Sequence, residues 1–504
     1  MNGVPPGLLR FLPNVFRLLF VAATAIAWSM FGHYFVSDAI AQLAITEHIR
    51  NGEWALAVNG YWSPLASWLL VPFSWLPLEG MDTFRLMNLV LAGVCLHFSV
   101  KLLKRLMPSA IMAYFAACAV AAILPFWALY YLTADMLFLA VLLWYMHLHV
   151  SGKFYERPVV AGISGVLLYL AKAYGLYFFI AHSLLMLLLV ERKKRKQYLL
   201  SLGKAFLLFL PACALWIGML SSRYGHFTLS ESARYNSTIA ANRPLVHPCD
   251  TLGLIAPQPG YRYSAWEDMT RHVSINKPAA ALPVAQRLKE NASAFISLLN
   301  KIPRYGIWIA AVLLAALMIF KWPSKQLIIP LATLCIFSGG YVLLFVEERY
   351  LIFPALLLYF IIAALMVKAA AILRSRYARW LVYFVLLYTL VRPAVDIYRF
   401  TDVREENAVY RQMLLLKKRN GPQNTGFASW NAYQFAGFAW YMKWKDHGGL
   451  KGYGTDTVRM RNDLLRYNIK YIFMPYNQEL PASLRPEYYK KYLPAGIVTI
   501  YERD

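Results

Sequence analysis

The sequence predicts a membrane protein built almost entirely of α-helices, with a small α/β domain in its C-terminal part. Three observations carry this expectation. The 504-residue chain is 59% hydrophobic and only 15% charged, whereas soluble globular chains carry about 25% charged residues. Apolar runs of about 20 residues, the length that crosses a bilayer as a helix, recur along most of the chain. The basic residues gather in short stretches between those runs, all on one side if the runs alternate in direction.

The apolar runs fall at roughly 14–35, 82–103, 109–127, 134–150, 159–171, 174–190, 199–220, 304–320, 326–346, 350–372 and 379–396, which makes about eleven helices. The N-terminal stretch is basic and then apolar, like a signal peptide. Its apolar part is too long for one and many spans follow, so it reads as an uncleaved first helix. The segment 62–78, WSPLASWLLVPFSWLPL, is apolar but short and rich in proline. It reads as a re-entrant or interfacial segment.

The formal charge is +25, but its distribution argues for membrane orientation and against nucleic acid. Arg10 and Arg17 precede the first run. Lys101, Lys104 and Arg105 follow the second, Lys153 and Arg157 the fourth, and Arg192, Lys193, Lys194, Arg195 and Lys196 the sixth. Lys321 and Lys325 follow the eighth, and Arg374, Arg376 and Arg379 the tenth. Alternation puts every one of these on the cytoplasmic face. The expected protein is multi-pass in the plasma (inner) membrane, with the N-terminus cytoplasmic and the C-terminus extracytoplasmic.

This topology leaves a membrane domain, 1–399, with outer segments 36–81 and 221–303, and an outer domain, 400–504. The latter alternates helix-like runs (403–418, 456–467) with strand-like runs (425–429, 470–474, 496–501), the pattern of a small α/β fold. Residues 39–50 pattern as an amphipathic helix suited to a membrane surface. Cys95, Cys118, Cys213 and Cys335 lie in apolar runs and Cys249 is alone in a polar loop. Neither a disulfide framework nor a zinc site is indicated.

Several polar residues map to the outer face. Asp38 follows the first helix; it is a site carboxylate or the cap of the next helix. Asp135 enters the fourth helix, where a carboxylate at membrane depth is a functional candidate and a cap is the alternative. Lys172 lies in the turn between helices five and six, as a site cation or as a lysine snorkelling to the interface. Glu347, Glu348, Arg349 and Tyr350 close the ninth helix; Arg349 pairs with a glutamate for structure or binds phosphate through its planar fork. The chain has no phosphate-binding glycine motif for nucleotides, no GxSxG and no HExxH. An enzyme outside the cytoplasm has no nucleotide supply, so an activated lipid donor is the chemically sensible one.

These residues, in this order, resemble the GT-C fold glycosyltransferases of the protein O-mannosyltransferase and lipid A aminoarabinose transferase type. The closest match is the first outer segment: an Asp after helix one, a helix ending in Gly52-Glu53-Trp54, then NGYWSPLASWLLVPF, then Arg85 opening helix two. Asp135, Lys172 and the 347–350 run fall where that group keeps its second acid, its basic residue and its Arg-Tyr pair. The chain departs from the pattern at Ala39, at Ser63-Pro64-Leu65 and at Ala173-Tyr174.

The resemblance implies an inverting hexosyl- or pentosyltransferase using a polyprenyl-phosphate-linked sugar donor. The acceptor would be a glycan, lipid or protein, and the enzyme would work among membrane lipids. It implies that Asp38 is the general base, and that Asp135, Lys172, Tyr174, Arg85, Glu347, Glu348, Arg349 and Tyr350 contact substrate. No cofactor is required by a lipid-phosphate leaving group; a divalent metal shared by Asp38 and Asp135 stays open. The competing reading is a multi-span transporter or lipid flippase.

Overall fold

The computed structural model describes residues 6–241, 247–272, 283–301, 325–344, 346–372, 376–400, 410–411, 413–414, 424–475, 478–484, 490–495 and 498–503. The expected eighth span, 304–320, lies outside them, as do twelve of the sixteen residues of the expected helix 403–418. By density of contacts the chain forms two compact units. One comprises residues 1–30, 85–218 and 283–401; the other comprises 31–84, 219–282 and 402–504.

The first unit is helical. In hydrocarbon every backbone N–H and C=O must be satisfied within the segment, so apolar runs of this length become helices. Five helices among the described residues are long and apolar enough to cross a membrane: Phe11–Phe31, Gly80–Leu106, Ala110–Tyr130, Arg192–Tyr224 and Glu348–Lys368. Asp135–Val150, Pro158–Ala171, Tyr174–Leu189 and Leu327–Leu343 are shorter and equally apolar.

The Ile352–Ile372 helix is apolar all round, and its residues from Ile352 to Leu365 are buried, as expected of a bundle interior. Leu207 and Leu215 stay exposed on the Arg195–Tyr224 helix, consistent with a lipid-facing flank. Polar side chains inside the bundle bond across helices. Asn88 Nδ2 donates to Ala128 O at 3.0 Å and Tyr359 Oη to Ala116 O at 3.1 Å. His182 bridges Tyr145 Oη at 2.8 Å and Thr333 Oγ1 at 2.9 Å. The 221–303 segment, read as one outer piece, divides. Its last helix, Val284–Lys301, packs in the first unit, where Asn291 Nδ2 donates to Val342 O at 2.9 Å.

The second unit is α/β. Its sheet comprises β1 (Gly426–Ser429), β2 (Lys445–Gly449), β3 (Ile469–Pro475), β4 (Lys490–Ala495) and β5 (Val498–Glu502), in the order β2-β1-β3-β5-β4. β1 is parallel to both its neighbours, and β5 is antiparallel to β3 and β4. The Thr457–Arg466 helix is capped by Asp456, whose side chain accepts from Arg459 N at 3.0 Å.

One expectation fails here. The helix over Ser37–Arg50 does not present a single apolar face. Ten of its residues are buried, including Asp38, Gln42, Thr46 and His48. Its alanines at 39, 41 and 44 let neighbours approach on several sides, and Ser67 Oγ of the Pro64–Phe73 helix reaches Gln42 Oε1 at 2.5 Å. It is a core helix of its unit, not a surface float. The re-entrant segment read at 62–78 is the ten-residue helix Pro64–Phe73 followed by a turn.

Candidate functional site

Within the first unit, three turns bring polar side chains together. Asp135 is the first residue of its helix, Lys172 sits in the turn joining Pro158–Ala171 to Tyr174–Leu189, and Arg349 lies in the single-turn helix Glu348–Leu351 that leads into Ile352–Ile372. Lys172 Nζ donates to Asp135 Oδ1 at 2.5 Å. Thr133 Oγ1 donates to Asp135 Oδ2 at 2.6 Å. Arg349 Nε pairs with Glu347 Oε2 at 2.6 Å and lies 3.9 Å from Asp135 Oδ2. Two cations thus face two carboxylates, with Asp135 9% exposed and Lys172 and Arg349 about a quarter exposed.

Aromatic rings form the floor. Lys172 Nζ lies 3.9 Å from the Tyr350 ring centre, within cation–π range. Tyr350 stacks on Tyr341 at 4.7 Å, and Tyr341 lies 4.2 Å from Tyr174. The Tyr174 hydroxyl donates to Phe337 O at 2.8 Å. The Tyr174 ring thus packs on Tyr341, and its hydroxyl is committed to the backbone. Glu348 is exposed and makes no ion pair among the described residues. Arg85 is fully buried in the Gly80–Leu106 helix.

Asp38 belongs to the second unit. Its cap alternative does not hold: Val36 occupies the cap position and Asp38 the first turn, where the helix N-terminus favours a carboxylate. Asp38 Oδ1 accepts from Trp266 Nε1 at 3.1 Å. The NGYW stretch holds that indole. Asn59 Oδ1 accepts from Tyr61 N and Trp62 N at 2.9 and 2.8 Å, and Trp62 Nε1 donates to Trp266 O at 3.1 Å.

Glu267 closes a capping box with Ser264 and takes Tyr263 N at 2.6 Å. His48 bridges Glu53 at 2.6 Å and Glu267 at 3.3 Å. The His48 hydrogen bond, helped by the Arg262 guanidinium, holds the Glu53 carboxyl below the usual range. Burial pushes the Asp268 carboxyl up, against the hydrogen bonds from Thr270 and Tyr224.

Sequence reasoning missed Trp266, Thr133 and Tyr341. The Ser264-x-x-Glu267 spacing was a readable capping signal for the first; Thr133 and Tyr341 carried no signal. Among the described residues no group of three or more His, Cys, Asp or Glu could hold a metal ion. Asp135 is a poor metal ligand as placed, because an ammonium already occupies its oxygen.

The architecture is that of the GT-C membrane fold. The chain superimposes along its length on ArnT from Cupriavidus metallidurans bound to undecaprenyl phosphate: TM-score 0.56, 13% identity, 96% of this chain and 97% of that one. It is also similar to the Archaeoglobus fulgidus oligosaccharyltransferase. In that protein's complex with Zn and sulfate the TM-score is 0.53 at 12% identity, over 96% of this chain and 73% of the other. Tethered to an acceptor peptide containing the NVT sequon, it gives a TM-score of 0.52 at 11% identity, over 97% and 74%. No family model matches the sequence, and no curated protein matches it.

Proposed function

We propose that this protein is a membrane glycosyltransferase that moves a sugar from a polyprenyl-phosphate donor to an acceptor hydroxyl on the outer face of the membrane, with inversion. The observation that carries the reading is the meeting of Lys172 and Arg349 beside Asp135 at helix ends in a GT-C fold. Undecaprenyl phosphate bound to ArnT supports a lipid-phosphate donor.

In this reading the acceptor oxygen attacks the anomeric carbon while Asp38 takes the hydroxyl proton. The bond from that carbon to the phosphate oxygen breaks, and its electron pair leaves with the lipid phosphate. Lys172 and Arg349 stabilise that charge. Asp135 and Glu347 hold the two cations in place, and Tyr350 and Tyr341 support Lys172 from below. Trp266 orients Asp38.

The test is transfer of radiolabelled sugar from polyprenyl phosphate by the purified protein. Asp38→Asn keeps an oxygen for the Trp266 N–H and removes the base. It should insert normally and lose roughly 10²- to 10⁴-fold in rate. Near-normal transfer by that variant would remove Asp38 from the mechanism. Movement of labelled lipid across vesicles without any transfer would replace the enzyme by a flippase.

A further inference from the structure

We propose that the second unit carries a pocket for a carboxylate-bearing sugar, of the uronic acid type. A cavity of about 300 Å³ is lined by Glu47, Arg50, Asn51, Arg262, Tyr263 and Lys443. None of these is among the residues assigned to transfer.

Three separated stretches build it. Glu47, Arg50 and Asn51 come from the end of the Ser37–Arg50 helix. Arg262 and Tyr263 are fixed by their backbone N–H groups, both of which donate to the Glu267 carboxylate, at 3.1 and 2.6 Å. Lys443 ends the Ala436–Met442 helix in the left-handed conformation, φ +57°. Glycine is the usual residue there, and a lysine held in that strained conformation is the kind of feature that clusters at ligand sites. Its ammonium donates to Tyr263 Oη at 2.7 Å, lies 3.5 Å from Glu47 Oε1 and sits 4.4 Å from the Trp440 ring centre.

The chemistry of the lining selects the ligand. Three cations, Arg50, Arg262 and Lys443, face Glu47 in the lining and Glu53 beside it, where Arg262 Nη2 donates to Glu53 Oε2 at 2.7 Å, so one positive charge is left over. Glu47 is already engaged, accepting from Tyr263 Oη at 2.7 Å and lying 3.5 Å from Arg262 Nε. Arg50 is exposed and makes no ion pair among the described residues. An anion is therefore wanted. The Arg262 fork is taken by Glu53 and Glu47, so the exposed Arg50 guanidinium is the one that meets a carboxylate, and Glu47 in the wall repels a second negative charge, which disfavours a phosphate dianion. Asn51 offers a neutral polar side chain to ring hydroxyls, whereas the Tyr263 hydroxyl is held between Glu47 and Lys443. The volume is at the small end for ligand pockets, suited to one sugar ring. As a subsite for an acidic acceptor glycan, the pocket rests on the transferase reading; as a binding site it does not.

The test titrates the full-length protein in detergent with D-glucuronate, D-glucose and inorganic phosphate, by calorimetry. Glucuronate should bind at least about tenfold more tightly than glucose or phosphate, one good charge-assisted contact being worth that much. Arg50→Gln with Lys443→Gly should lose that advantage without lowering the melting temperature, since glycine accepts the backbone conformation at 443. Glucuronate binding no tighter than glucose, phosphate binding as tightly as glucuronate, or full affinity in the double variant would each overturn the proposal. Glucuronate binding by a protein that shows no sugar transfer would uphold the pocket and count only against the transferase reading.

Discussion

Lys172 and Asp135, 37 residues apart in sequence, meet at 2.5 Å between their ammonium and carboxylate. The carboxylate is nearly buried and the ammonium rests on Tyr350. Removing one member of such a pair leaves the other charge desolvated.

Lys172→Met should therefore destabilise the protein by about 2 kcal/mol, less than for a fully buried pair because the lysine is partly exposed. Adding Asp135→Asn should restore at least about half of that loss, since no unpaired charge remains. Thermal unfolding of the four members of this cycle in detergent measures the coupling. Strictly additive effects would show that the pair does not act as a unit.

Gly340 faces Tyr174 so closely that an added methyl would collide with the phenol, its oxygen first. Gly340→Ala should cost about 1–3 kcal/mol, as overpacking does. Tyr174→Phe removes the nearest atom, so the double variant should be more stable than the sum of the singles by at least about 0.5 kcal/mol. Melting temperatures decide this, and an alanine tolerated beside the intact tyrosine would contradict the packing described.

Asp446, in β2, is fully buried. One carboxylate oxygen accepts from Gly448 N at 2.9 Å and the other has no hydrogen-bond partner among the described residues. Burial pushes its carboxyl up to about 7. The folded state then holds a proton that the unfolded chain releases near its ordinary value of about 3.9. The sign follows: the stability this proton brings is full below about pH 4, declines as pH rises, and is gone above about pH 7. Its upper bound is about 4 kcal/mol. Melting followed by tryptophan fluorescence from pH 4 to 8 should show a decline in the native protein that Asp446→Asn flattens; equal slopes in the two proteins would exclude this proton.

The proposed orientation puts Asp504 outside the cytoplasm. A reporter that is active only in the cytoplasm, fused there, should stay silent, whereas a fusion after Arg195 should be active. A bright signal at Asp504 would reverse the sidedness of every proposed site residue.

The helices of the first unit were legible because a bilayer leaves the backbone so few choices: Asp135–Val150, Pro158–Ala171 and Tyr174–Leu189 lie within a residue of the apolar runs that announce them. Of the strands, β1, β3 and β5 carry the expected apolar, β-branched or aromatic residues. β2 reads Lys-Asp-His-Gly-Gly and β4 contains Lys-Lys and Pro, so neither has a strand pattern to detect. β2 is a strand because β1 pairs along it and because Tyr263 O and His447 O complete its edge, accepting from Asp446 N and Ile255 N at 2.7 Å each.

The candidate site divides in the same way. Sequence alone determined which residues lie at helix ends, and so grouped Asp38, Asp135, Lys172 and Arg349 on one face, because hydrophobic length and charge sidedness are local properties read along the chain. Only the tertiary structure decided that Lys172 bonds Asp135, that Tyr341 joins Tyr174 to Tyr350, and that Trp266, 228 residues from Asp38, donates to its carboxylate. Those partners come from distant turns, and no periodicity encodes them. The helix over Ser37–Arg50 shows the limit most plainly: its composition suited a wet surface on one side, and burial from several sides came from neighbours that its own sequence does not mention.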